Sequence, residues 1–169
     1  MIVRKMTLED MARVGEITDS TRIYFKNAGS PQWQGEYPSN ETFSLDISRS
    51  IGYVCDDDGS VCGFCAIVGG DEPDYANIYD GEWKNDRKYI SLHRVAVAEE
   101  YKGKGVAALM VEEAVRVAKD AGVLDIRCDT HEKNTNMRRM LEKNGFCKCG
   151  TVYLCKDGTP RVAYQKILD

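Results

Sequence analysis

Apolar residues recur along this chain at two spacings, and the switches between them set out the elements in order. "MIVRK" opens as a short strand. Thr7 then stands as a helix N-cap with Asp10 three residues on. Leu8, Met11, Val14, Ile17, Thr21, Tyr24 and Phe25 follow on one helical face up to Gly29, with Pro31 beyond it. Ser39 caps a shorter helix marked by Phe43, Ile47 and Ile51. "GYVCD", the turn "DDDGS" and "VCGFCAIV" read as a hairpin, the Asp-Gly pair tolerating positive φ. Residues 69–89, rich in Gly, Asp and Pro with scattered aromatics, read as a long excursion over the surface before the strand "YISLHRVAV". A helix opening near Gly105 turns Ala107, Met110, Val111, Ala114, Val117, Ala118 and Ala121 to one side and stops at Gly122. "VLDIRCD" is a strand, and Asn134 to Asn144 a helix with Met137, Met140 and Leu141 inward and Gly145 as its stop. "FCKCGTVYL" and "RVAYQKIL" close a last hairpin around "KDGTP". The pattern predicts seven strands and four helices: strand, two helices, three strands, helix, strand, helix, two strands.

Composition narrows the class. With 169 residues, 43% hydrophobic and 30% charged, the chain suits a single domain over residues 1–169. A formal charge of -4 argues against a nucleic-acid partner, which calls for a basic surface. The N-terminus turns charged within a few residues, and no apolar run approaches the roughly 18 needed to span a bilayer, so a soluble, cytoplasmic protein with no membrane partner is expected. Seven cysteines are an odd count, and Cys55, Cys62 and Cys65 fall in strand-like segments, which reads as reduced thiols. "CGFC" has redox or zinc spacing but lies within a strand, where positions three apart face opposite sides. "CKC" at Cys147 and Cys149 would put two thiols on one face, yet no second pair at zinc spacing follows. No metal site is expected.

The segment "EYKGKGVAALM" carries the chemistry. A helix N-terminus has unpaired N–H groups and the positive end of the dipole, and it attracts an anion. Here the first turn is Val106, Ala107 and Ala108, with no capping carboxylate or hydroxyl, while Lys102 and Lys104 add charge beside it. Gly103 and Gly105 let the backbone approach an external anion closely. Neither a nucleotide P-loop nor a dinucleotide fingerprint fits the spacing.

"HRVAVAEEYKGKGVAALM" resembles the acyl-CoA-binding motif of the GNAT N-acetyltransferase superfamily. That family's Gln/Arg-x-x-Gly-x-Gly/Ala pattern matches Lys102, Gly105 and Ala107, with Lys in place of Gln or Arg. "NTNMRRMLEKNGF" is similar to its second signature at Asn134, Glu142, Lys143, Gly145 and Phe146. The predicted element order is also the family's. The resemblance implies a GNAT-type α/β fold: a mixed, mostly antiparallel sheet of about seven strands flanked by four helices. It also implies acetyl-CoA as cosubstrate. Backbone amides of Lys102, Gly103, Lys104, Gly105, Val106 and Ala107 would bind its pyrophosphate. Val95, Ala96 and Val97 would bond the pantetheine arm on a strand that splays from the next, and Asn134 would bond the arm or cap its helix.

Acetyl transfer to an amine needs a base, help for a developing oxyanion and a proton for the thiolate. His93 is the first candidate base; on a regular strand it shares a face with Ser91, Val95 and Val97. "LHRVAV" also resembles the arylalkylamine acetyltransferases, whose second histidine falls where this chain has Ser91. A hydrogen-bonded core histidine is the competing reading of His93. His131 reads as bonding its own loop. Leu141 stands at the family's usual acid tyrosine, leaving Tyr153, Cys128 or water for that role. Trp33, Tyr37, Tyr79 and Trp83 are candidate walls for the acceptor, with Glu36 or Asp80 for its ammonium group. The function expected is N-acetyl transfer to a small-molecule or peptide amine. A non-catalytic acyl-CoA sensor is the alternative, a thiol redox or metal protein a weaker third, and the exposed terminal strands allow a homodimer.

Overall fold

In the computed structural model, which describes residues 1–169, the predicted elements form in the predicted order. They are β1 (Ile2–Lys5), α1 (Met11–Asn27), α2 (Asn40–Ser48), β2 (Gly52–Asp57), β3 (Ser60–Gly69), β4 (Ile90–Val97), α3 (Val106–Asp120), β5 (Asp125–Thr130), α4 (Thr135–Lys143), β6 (Cys147–Tyr153) and β7 (Pro160–Ile167). The strands make one seven-stranded sheet in the order β1-β2-β3-β4-β5-β7-β6. Pairs β1–β2, β2–β3, β5–β7 and β6–β7 are antiparallel, and β4–β5 is parallel. The β4–β5 ladder joins Ile90 to Ile126 and Ser91 to Arg127, at the very start of β4. No helix is long and apolar enough to cross a membrane.

The chain falls into two compact units, Met1–Ile67 with His93–Glu113 and Val68–Leu92 with Ala114–Asp169. The first is built where Val14, Ile17 and Phe25 of α1 and Phe43 of α2 bury against Val54, Val61 and Phe64 of the sheet. Each such side chain contributes about 1.5–3 kcal/mol on burial. Leu8, expected inward, is 70% exposed, because the helix proper starts only at Met11 and Leu8 lies on a preceding 3-10 turn whose face points outward. Asp10 ends that turn, buried, taking Arg4 Nη1 and Nη2 at 2.8 Å each and the Thr7 N–H at 2.8 Å. Arg4 also holds Asp56 of β2, so one guanidinium ties strand, turn and neighbouring strand together.

In the second unit, Leu141 is fully buried, and Tyr75, Tyr89, Val152 and Ala163 form a small aromatic core. The excursion over residues 69–89 is docked rather than merely superficial. Tyr79 and Thr151 exchange backbone hydrogen bonds of 2.8 and 2.7 Å, and Glu82 N–H reaches Cys149 O at 3.0 Å. These contacts cover part of the outer edge of β6, one of the two edge strands of the sheet. Asp125, wholly buried, accepts both Gln165 Nε2 and Asn85 Nδ2, and Gln165 Oε1 accepts the Lys84 N–H, fixing the excursion to β5 and β7.

The "CKC" segment departs from expectation. The β6–β7 register slips between Lys148 and Gly150, so Cys149 is an extra residue in the strand. Such a bulge resets side-chain alternation. Cys147 is accordingly exposed and Cys149 buried, and the two thiols do not share a face. Cys62 and Cys65 are both buried in β3; Cys62 Sγ donates to Cys55 O, and burial pushes its thiol up to about 12.

Asp10 makes the fold acid-sensitive. Burial works to raise its carboxyl, but the Arg4 and Thr7 hydrogen bonds outweigh it and hold the group below the usual carboxylate value. A depressed folded pKa stabilises above the unfolded value of about 3.9 and is lost as pH falls through the lower folded value. Asp10→Asn is expected to cost about 1–3 kcal/mol at neutral pH, with the gap to wild type narrowing below about pH 4. Denaturant melts at both pH values check this; a constant gap would mean that Asp10 charge is not what stabilises.

Candidate active site

After β4 the chain turns through Glu99–Tyr101 and enters α3. Ala98 N–H bonds Cys62 O at 2.9 Å, pinning the end of β4 to β3, and Lys104 N–H returns to Tyr101 O at 3.2 Å. Gly103 and Gly105 take φ of 77° and 86°, the left-handed region that glycine enters without strain. A Cβ built on either would meet nothing within 4 Å, so the loop presents bare backbone toward open space. Gly105 O accepts the first intrahelical bond, from Leu109 N–H at 3.1 Å, leaving the N–H groups of Val106, Ala107 and Ala108 ahead of the helix's own ladder. Lys102 pairs with Glu99 and lies over the Tyr24 ring; Lys104 lies 4.9 Å from the Tyr101 ring centre. Two cations therefore flank the positive end of a 15-residue helix. This donor set suits a diphosphate: several backbone N–H groups, the helix dipole and two lysines, with no side chain in the way.

Close packing holds the loop in place. A Cβ on Gly63 of β3 would stand 2.8 Å from both Ala96 O and Val106 Cγ1, so only glycine lets β3 approach the end of β4 and the start of α3 together.

Strand β4 is not regular. Arg94 has φ 54°, a left-handed conformation costing an L-residue about 1–2 kcal/mol. Alternation is reset there, and the expectation that His93 shares one face with Val95 and Val97 does not hold past His93. The Arg94 side chain forks onto Asp46 of α2, Nε to Oδ2 at 2.9 Å and Nη2 to Oδ1 at 2.7 Å, while Nη1 donates to the Tyr37 hydroxyl at 2.8 Å. The pair is largely buried, at 13% and 6% side-chain exposure. Burial raises the Asp46 carboxyl above its usual value, with Arg94 and then His93 pulling against it. His93 is thus half-buried beside the kink, in the field of a buried carboxylate.

The other candidates are scattered. Ser91, two residues before His93, is 1% exposed and its hydroxyl makes no hydrogen bond. Asn134 caps α4, its Oδ1 accepting Met137 N–H at 3.2 Å. His131 Nδ1 accepts Lys133 N–H at 3.2 Å, a bond within its own loop. Cys128 is buried, and that burial raises its thiol far above the ordinary range. Tyr153 is 44% exposed and packs edge-on against Tyr79.

Trp33, expected to line the acceptor pocket, belongs to the core of the first unit. It is stacked on Phe64 at 6.4 Å and edge-on to Phe25 at 5.6 Å, because its indole closes the gap between α1 and the sheet. Trp83 does line a cavity, one of about 840 Å³ shared with Asp71, Glu72, Asp86, Tyr89 and Arg127. The Arg127 guanidinium sits 4.3 Å from the Trp83 ring and 4.0 Å from the Tyr89 ring.

The sequence profile of the acetyltransferase (GNAT) family fits residues 16–146. The chain belongs to the GNAT acetyltransferase family. It is similar to an acetyltransferase of this family from Streptococcus agalactiae, 33% identical with a TM-score of 0.89 over 99% of this chain and 95% of that one. It shares its fold with the PaiA N-acetyltransferase of Thermoplasma acidophilum, solved in complex with coenzyme A, at 20% identity and a TM-score of 0.70 over 98% and 97% of the two chains. N-alpha-acetyltransferase 30 of Schizosaccharomyces pombe is 30% identical over 67 residues, 40% of this chain and 43% of that protein, so the match spans under half of that relative's length.

Within this GNAT chain, sequence reasoning passed over Gly63, Asp46 and Arg94. Gly63 stands within "CGFC" with no local sign of its packing role, and nothing local marks Asp46 and Arg94, 48 residues apart, as a pair. Gly63→Ala is expected to lower stability by about 1–3 kcal/mol, a fall of roughly 2–10 °C in Tm. A thermal melt checks it, and an unchanged Tm would show that β3 can withdraw without loss.

Proposed function

We propose that this GNAT protein transfers the acetyl group of acetyl-CoA to a primary amine of a small molecule or a peptide. The observation that carries the reading is the bare glycine loop at the start of α3, flanked by Lys102 and Lys104 and open on the side where an anion would lie. The complex of the PaiA relative with coenzyme A supports the choice of ligand. In this reading the loop from Lys102 to Ala107 holds the pyrophosphate through the amides of Gly103, Gly105, Val106 and Ala107, since the Lys102 and Lys104 N–H groups already bond Glu99 O and Tyr101 O and those two residues contribute their charge instead. The backbone of Val95 to Val97 aligns the pantetheine arm, and Asn134 adds a side-chain contact besides its cap.

In direct transfer the amine nitrogen bonds the acetyl carbon as the carbon–sulfur bond breaks. The nitrogen gives up a proton to a base, and the departing sulfur takes one. His93 is the base in this reading, with Ser91 as its relay and Tyr153 as the candidate acid. Since Leu141 is fully buried at the position of the family's tyrosine, the acid must come from elsewhere. Tyr37 and the exposed Tyr79 remain as acceptor contacts, as does Trp83 through its cavity.

Incubation with acetyl-CoA and pooled amines, amino acids and peptides, read by mass, tests the reading; seven cysteines would contaminate a thiol-release assay. A product heavier by one acetyl group is expected. Bound coenzyme with no acetylated product would instead favour an acyl-CoA sensor, a reading that the buried Leu141 keeps open.

Gly105→Asp places a carboxylate and a strained φ where the pyrophosphate is held, and is expected to weaken acetyl-CoA binding about a hundredfold. Calorimetry checks this, and unchanged affinity would remove the loop from the site. His93→Ala is expected to lower kcat about a hundredfold with little change in acetyl-CoA affinity. If kcat and its pH profile stay as in wild type, His93 is a packing residue.

A further inference from the structure

We propose that Asp46 is a positioning residue for acetyl transfer: its fork on Arg94, completed by the Tyr37 hydroxyl, locks the kink in β4 and so sets His93 and the Val95–Val97 backbone. The inference rests on the acetyltransferase reading above.

A fork of two charge-assisted bonds fixes direction as well as distance, which a single lysine contact would not. Here the fork grips the one residue of β4 held in the left-handed region, with bonds of 2.9 and 2.7 Å. Arg94 is the covalent neighbour of both His93 and Val95, so rotation about its backbone reorients the imidazole on one side and the pantetheine-facing backbone on the other. A relaxed β4 would return Arg94 to extended φ and carry its guanidinium away from Asp46. The ion pair and the kink therefore stand or fall together.

Stability does not explain the pair. Removing two charges from water offsets most of their attraction, and well-packed apolar substitutes for buried ion pairs are commonly neutral or stabilising. Apolar substitutes lack direction, however, and direction is what a strained φ requires. The third bond extends the device. Tyr37 lies in the segment between α1 and α2, is 40% exposed, and its hydroxyl oxygen accepts from Arg94 Nη1 at 2.8 Å. A segment read from sequence as acceptor wall is thus tied to the residue beside the candidate base.

The deciding variant is Asp46→Leu/Arg94→Met, which removes both charges and puts apolar side chains in their place. Expected are a Tm at or above wild type, an acetyl-CoA Kd within about threefold, kcat at least about tenfold lower, and amide hydrogen exchange at residues 93–97 at least about tenfold faster. A kcat and an exchange rate equal to wild type would show a merely structural pair and overturn the proposal. Should the double variant not fold, Tyr37→Phe carries the test, since it removes one hydroxyl and leaves the ion pair. It is expected to raise the KM for the amine and the exchange at residues 93–97 by about threefold or more; no change in either overturns the proposal. The amine used is one acetylated by wild type in the mass-read screen. If wild type acetylates none, the acetyltransferase reading has failed, and exchange in the double variant alone decides whether the pair holds the kink.

Discussion

An arginine held at φ 54° in the middle of a strand is the constraint around which the first unit is arranged. Strand β4 ends against β3, where Ala98 bonds Cys62, and one left-handed residue comes four positions before that engagement. Such a conformation persists only where surroundings over-determine it. Asp46 and Tyr37 hold the side chain, and Gly63 lets β3 close up against Ala96 beyond the kink. The glycine loop and the start of α3 follow directly, so the donors at the helix N-terminus inherit their position from the strand.

Electrostatics then favour one kind of visitor at that terminus. Helix α3 starts without a side-chain oxygen of its own, and the nearby carboxylates of Glu99 and Glu100 are turned to Lys102 and Arg13. In a chain with a net charge of -4, the dipole of α3 and Lys104 still make this helix start a local positive end, which favours an anion there. Membership of the GNAT family agrees with that physics.

The aromatic residues show where reading from sequence reaches its end. Trp33, Tyr37, Tyr79 and Trp83 look alike as loop aromatics, yet one is core, one is bonded to Arg94, one packs on Tyr153 and one walls a cavity. What separates them is the partner each meets, and those partners lie in other elements. Likewise the excursion over residues 69–89 carries no periodicity, because beyond one short turn at Pro73–Tyr75 it is fixed by bonds to β6 and to the Gln165 side chain.

By itself the sequence determined the eleven main elements, their order, the glycine stops at Gly122 and Gly145, and an uncapped positive helix start. Each depends on residues within a few positions of one another, where apolar period and backbone preference act locally. Only the tertiary structure decided the kink at Arg94, the bulge that parts Cys147 from Cys149, and the burial of Trp33. Alternation along a strand holds only until a single residue leaves extended φ or slips register. Whether one does is settled by contacts such as Asp46 with Arg94, made across 48 residues of chain, and local preference carries no trace of them.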